Sequence, residues 1–231
     1  MGGLGSSVDN GDTHLIRRTI LTGLVLLAAS PAFAQARKEP EVATTPKPLP
    51  EQTKDVVVPV PGITPENTLN LDLSTGGRVS ILMRPDVAPK HIERIKTLVR
   101  EKFYDGIVFH RVIEGFMAQS GDPTGTGQGA SKLPDLKAEF NDLPHVRGAL
   151  AMARATSPDS ANSQFYIVFQ PVLKLDHTYT VWGRVFAGME YVDAIERGEP
   201  PANPSKIVRA SIGSDNVPPP APSSPVPVVP Q

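Results

Sequence analysis

Leu69, Leu71 and Leu73 alternate with Asn70, Asp72 and Ser74, the period-two pattern of a strand that buries one face. Gly76 and Gly77 follow as a tight turn, and residues 79–83 return as a second, antiparallel strand. Pro89 suits a first helical turn, and Ile92, Ile95, Leu98 and Val99 share one helix face before Asp105-Gly106 stops it. Further short apolar runs at 115–119, 149–152, 165–169 and 180–186 are separated by clusters of Gly, Pro, Asn and Asp. A second short helix is expected over 189–196 and a closing strand over 207–212. Strands so short and so evenly punctuated predict a mainly β protein, closed or sandwiched, of about eight strands with two helices.

The flanks differ. Of the 25 prolines in 231 residues, eight precede Glu66 and seven follow Asp215. Residues 35–65 therefore read as an extended, semi-rigid tether and 216–231 as a proline-rich tail, around a folded domain at 66–215. Upstream, Arg17-Arg18 precede an uncharged run from Thr19 to Ala29, and Ala32-Phe33-Ala34 offers the small-x-small pattern of a signal peptidase site. Residues 1–34 are expected to be a signal peptide cleaved before Gln35, with 1–13 a possible spurious extension. The apolar run is too short for a spanning helix, which needs about 20 residues, so no stable membrane insertion is expected after cleavage. A periplasmic or secreted product follows, the general secretory route being favoured over a twin-arginine one.

Composition removes whole classes of chemistry. Lys plus Arg is 23 against 24 acidic residues, which provides no basic field for nucleic acid or anionic lipid. With no cysteine there is no thiol nucleophile, disulfide or thiolate metal site. The five histidines lack close paired spacing, and no metal is expected. The glycine-rich stretch 121–129 lacks the Gly-Lys-Ser/Thr of a phosphate loop, and Ser120 lacks the glycine two residues upstream that a nucleophile elbow needs. It reads as a plain loop.

The run from Phe103 to Pro123 changes the picture. It contains Phe109-His110-Arg111-Val112 and Gly115-Phe116-Met117-Ala118-Gln119-Ser120-Gly121-Asp122, and it resembles the signature of the cyclophilin peptidyl-prolyl isomerases. Arg147-Gly148-Ala149-Leu150-Ala151-Met152-Ala153-Arg154, Asn162-Ser163-Gln164-Phe165-Tyr166-Ile167 and Val181-Trp182-Gly183-Arg184 match later blocks of that family in order. The resemblance spans about Glu66 to Asp215 and implies a closed eight-stranded antiparallel barrel capped by two α-helices, in agreement with the strand count.

Residue by residue, the resemblance implies that Arg111 is catalytic and that Phe116, Met117, Tyr166 and Leu175 wall a proline pocket. Gln119 and Gln164 would hold the flanking peptide, Ala153 and Arg154 would dock its backbone, and Tyr179 would complete the rim. The implied partners are X-Pro-containing unfolded or flexible polypeptides, handled by a monomer without cofactor, during the folding of exported proteins. A non-catalytic proline-peptide-binding module or holdase is the alternative. Four departures bear on substrate preference and cyclosporin binding. They are Tyr166 where phenylalanine is frequent, Arg154 where asparagine is common, Lys174 where many members carry tryptophan, and Tyr179 where many carry histidine.

Overall fold

Each apolar run of the domain becomes a strand. In the computed structural model, which describes residues 62–220, these are β1 (Thr68–Leu73), β2 (Arg78–Met83), β3 (Arg111–Ile113), β4 (Met117–Ser120), β5 (Ala149–Met152), β6 (Phe165–Val168), β7 (Val181–Ala187) and β8 (Ile207–Ile212). Two helices, α1 (Pro89–Arg100) and α2 (Met189–Asp193), complete the fold. The signal peptide, all of the tether before Gly62 and the tail from residue 221 lie outside the described residues.

The strands form one antiparallel sheet in the order β3-β4-β6-β5-β7-β2-β1-β8. The ladder itself leaves β3 and β8 as its two edges. The segment before β3 joins them: Gly106 N–H donates to Ile207 O at 2.7 Å, Ile207 N–H to Ile107 O at 2.9 Å, and Phe109 N–H to Ser205 O at 2.8 Å. The sheet thus curls toward a barrel, and these bonds occupy part of the donors and acceptors that its two edges would otherwise leave free. Three-residue β3 is the strand the periodicity could not show, being too short to display a period. Helix α2 ends at Asp193, three residues earlier than expected.

Alternation gives the sheet two apolar faces. On β4, β5, β6 and β7 the side chains of Ala118, Leu150, Met152, Phe165, Ile167 and Trp182 point into the barrel and join the main core with Tyr104, Phe109, Ile92 and Ile95. Phe165 meets Tyr104 and Trp182 edge to face, with centroids 5.6 and 5.8 Å apart. The intervening positions, Met117, Ala149, Ala151, Tyr166, Val168 and Val181, form a second cluster outside, with Phe116, Ala153, Leu175 and Tyr179 against it. Burial on both faces is why these strands read as continuous apolar runs.

Strand β1 departs from the half-buried expectation, since all six of its residues are buried. Asp72 is covered by two guanidinium groups, with Arg78 Nε at 2.7 Å and Arg209 Nη2 at 2.7 Å. Asn70 Oδ1 accepts from Ser80 Oγ at 2.9 Å. The same arginines donate to the carbonyls of Val217 and Pro218, so the start of the tail is strapped across the sheet.

Helix α1 carries Pro89 at its first turn but no local side-chain cap. Glu139 caps it from a distant loop: its carboxylate accepts the N–H groups of Lys90 and His91, each at 3.1 Å, and contacts His91 Nδ1 at 2.6 Å. The His91 ring is fully buried, and burial pulls its pKa below the usual 6.5 despite the hydrogen bond and charge of Glu139, which act the other way. The unfolded chain therefore takes up this proton first. Stability from neutral His91 is full above about pH 6.5 and is lost as pH falls toward the folded value. The thermal midpoint should drop as the buffer is taken from about pH 7 to about pH 5, and His91→Gln should flatten that slope; an unchanged slope in the variant would show that other groups carry the acid sensitivity.

Candidate active site

The outer cluster holds an open pocket of about 150 Å³ with apolar walls and a polar rim, lined by Arg111, Phe116, Met117, Gln119, Ala153, Arg154, Tyr166, Leu175 and Tyr179. Strand β4 supplies Met117 and Gln119 as alternate outward residues, and the register sets Gln119 opposite both Arg111 of β3 and Tyr166 of β6. Ala151 of β5 pairs with Tyr166 from the other side, so a small residue lies beneath the aromatic wall. Leu175 and Tyr179 reach the rim from a 3₁₀ turn at Leu173–Leu175 and the bend after it. Every residue expected at the site lines this pocket except Gln164, which lies in the adjoining recess with Gln119, Ala153 and Arg154.

Arg111 is half exposed, and its Nε donates to Glu199 Oε2 at 2.7 Å. Glu199 is placed by the backbone beside it. Gly198 and Val112 exchange two hydrogen bonds, at 2.8 and 2.9 Å, which adds one bridge to the free side of β3. Gly198 has φ +145, and a Cβ there would lie 2.5 Å from Pro201 Cα; only glycine fits this turn. The pair leaves both terminal nitrogens of Arg111 without a hydrogen bond among the described residues.

Gln119 Nε2 donates to Gln164 Oε1 at 2.8 Å, and Gln164 Nε2 donates in turn to the carbonyls of Gly127 and Gly129. Gln164 is thus committed to the 121–129 loop, whereas the side-chain oxygen of Gln119 stays open toward the pocket. That loop is organised by Asp122. Burial alone would raise its pKa, but the Thr124 hydroxyl and the backbone N–H groups of Thr124, Gly129 and Gly127 outweigh it and bring the carboxyl down to about 2.

Behind the pocket, Asp176 Oδ1 contacts His145 Nδ1 at 2.8 Å, and His145 Nε2 contacts the Tyr166 hydroxyl at 3.1 Å. The arrangement that satisfies all three groups has Nδ1–H donating to the carboxylate and the phenol donating to Nε2. The backbone N–H of His145 and then its ring hold Asp176 below the usual carboxylate range. Burial raises the Tyr166 phenol, which therefore remains a donor. Its hydroxyl faces inward, so Tyr166 presents the pocket with ring surface only.

At the mouth, the Arg154 guanidinium carbon lies 4.6 Å from the Tyr179 ring centroid, a cation–π contact. Two departures from the family pattern therefore complement each other. Glu199, His145 and Asp176 were not legible as site residues, since their partners lie 21 to 88 positions away, and Asp122 was hidden because its bonds organise a loop and touch no pocket residue. Among the described residues no three His, Asp or Glu side chains are placed to hold a metal ion, and no helix is long and apolar enough to cross a membrane.

Fold and pocket together define a curled antiparallel β protein with an open pocket on the outer face of its sheet. Residues 69–212 match the family model described as cyclophilin type peptidyl-prolyl cis-trans isomerase/CLD, and the chain belongs to that family. A probable peptidyl-prolyl cis-trans isomerase of Brucella suis is 47% identical over 167 residues, covering 65% of this chain and 85% of that protein. Peptidyl-prolyl cis-trans isomerase B of Bacillus subtilis is 39% identical over 129 residues, covering 55% of this chain and 89% of that protein. Among solved structures, the cyclophilin AquaCyp293 from Hirschia baltica superposes with a TM-score of 0.62 at 28% identity, covering 68% of this chain and 77% of that one. A Cryptosporidium parvum cyclophilin type isomerase determined in the presence of the dipeptide Ala-Pro gives 0.59 at 26% identity, covering 63% and 98%.

Because the Tyr166 hydroxyl serves His145 and not the pocket, Tyr166→Phe should cost about 1 to 3 kcal/mol of stability, the penalty of a buried unpaired nitrogen. Isomerase activity should stay within about twofold of wild type. A large loss of activity without loss of stability would place the hydroxyl in the reaction.

Proposed function

We propose that the domain accelerates rotation about X-Pro bonds in unfolded or flexible exported polypeptides, as a monomer, with Arg111 as the catalytic group. The observation that carries this reading is the guanidinium on a pocket walled by Phe116, Met117, Tyr166 and Leu175, anchored through Nε with its terminal nitrogens open. The pocket, of about 150 Å³, is the place we assign to the pyrrolidine ring.

The planar prolyl amide resists rotation by about 18 to 20 kcal/mol because the nitrogen lone pair is delocalised into the carbonyl. Twisting localises that pair on nitrogen and makes it a hydrogen-bond acceptor. An Nη–H of Arg111 aimed at the nitrogen then binds the twisted amide better than the planar one, which is differential transition-state stabilisation without a covalent step. One such donor contributes about 3 to 4 kcal/mol by analogy with oxyanion-hole donors, whereas a 10⁴-fold acceleration needs about 5.5 kcal/mol. The apolar wall of Phe116, Met117, Tyr166 and Leu175 supplies the balance by stripping water from the polarised planar amide. Gln119 and the backbone at Ala153 and Arg154 hold one flank so that the other turns.

We place the mature protein outside the cytoplasm on the strength of residues 1–34, a reading tested by whether exported protein begins at Gln35. In a protease-coupled assay on an Ala-Pro peptide, wild type should abolish the slow phase, and Arg111→Ala should lower kcat/KM by at least about tenfold with an unchanged melting midpoint. An unaccelerated slow phase in wild type would support a binding module or holdase, and a matching fall in melting midpoint in the variant would make Arg111 structural.

A further inference from the structure

Two arginines border the proline pocket, and they differ in what neutralises them. Arg111 is paired with the Glu199 carboxylate at 2.7 Å, so its field beyond the immediate contact is largely cancelled. Arg154 makes no ion pair among the described residues. Its Nη1 donates to the carbonyls of Ala155 and Thr156 at 3.0 and 3.1 Å, and its Nε and Nη2 to that of Thr178 at 3.4 and 3.2 Å. Its flat face rests on Tyr179. These partners fix the group in place and leave its full formal charge on the pocket wall.

The position matters as much as the charge. Ala153, Arg154 and Gln119 line both the proline pocket and the adjoining recess of about 400 Å³. A chain with its proline in the first and its flank in the second must pass over Ala153 and Arg154. Asp135 is the one carboxylate on the recess, and it does not line the proline pocket; the Asp176 carboxylate is engaged by His145. Among the cations lining the pocket and the recess, Arg154 is therefore the one without an ion pair, and it lies on the path of the residue abutting the proline on this flank.

We infer that Arg154 is a specificity-determining residue that selects substrates with a carboxylate side chain, Asp or Glu, next to the proline on the flank that crosses Ala153–Arg154. Pre-fixing of the guanidinium removes most of the ordering cost that makes ordinary surface pairs weak, and a lysine at the same substrate position is repelled. This inference deepens the isomerase reading, since it concerns the substrate of the same site.

The test uses short peptides with Glu, Ala or Lys directly before or directly after the proline. Isomerisation is followed by NMR exchange, which needs no protease, and Kd is taken from shift titrations in the same samples. On one flank, the Glu-to-Lys ratio of kcat/KM should be about three- to tenfold at low ionic strength and should shrink in ~0.5 M salt. Arg154→Gln should bring that ratio close to one whatever it does to the alanine peptide, and Arg154→Lys should restore most of it. A ratio near one on both flanks in wild type, or one that survives in Arg154→Gln, overturns the inference. If the alanine peptide is not accelerated at all, the isomerase reading fails, and the Glu-to-Lys ratio of Kd still decides the role of Arg154.

Discussion

Side-chain alternation along β4, β5 and β6 is the constraint on which the rest of the molecule depends. Neighbouring residues on these strands serve different purposes: Met117 forms the pocket and Ala118 the core, Tyr166 the pocket and Ile167 the core, Ala151 the outer cluster and Leu150 the inner one. A one-residue slip in register would exchange the two sets, placing Gln119 in the barrel and Ala118 at the site. The barrel core is therefore what orients the pocket, and the edge-to-face contacts of Phe165 with Tyr104 and Trp182 hold the strand that carries Tyr166.

Built on that frame, the polar groups divide between positioning and presenting. Glu199 fixes one edge of the Arg111 guanidinium and leaves the other open. Gln164 ties Gln119 to a loop held by Asp122. Asp176 and His145 engage the Tyr166 hydroxyl, which keeps the wall apolar although the residue is not. Arg111, Gln119 and Tyr166 are each held by a side chain that does not line the pocket, which fixes their orientation within it.

The sequence made most of this architecture legible because period-two runs and turn residues are local signals. Seven of the eight strands stand out by composition, and β3 escapes because three residues cannot show a period. The pocket wall came through resemblance, since Phe116, Met117 and Tyr166 would otherwise read as core. What stayed hidden is long-range pairing: Glu199 is 88 residues from Arg111, and nothing in Gly198-Glu199-Pro200 announces a partner. The burial of Asp72 was hidden for the same reason, because its cover comes from Arg78 and from Arg209, 137 residues away.

The division between inner and outer faces is tested most directly by methyl NMR of the folded domain during titration with an Ala-Pro peptide. Met117 and Met152 are both fully buried, so exposure alone does not distinguish them. The Met117 methyl should shift strongly on binding, together with that of Leu175, while Met152 and Ala118 stay within the shift of a peptide lacking proline. Equal shifts at Met117 and Met152, or movement of Ala118 without Met117, would contradict the account.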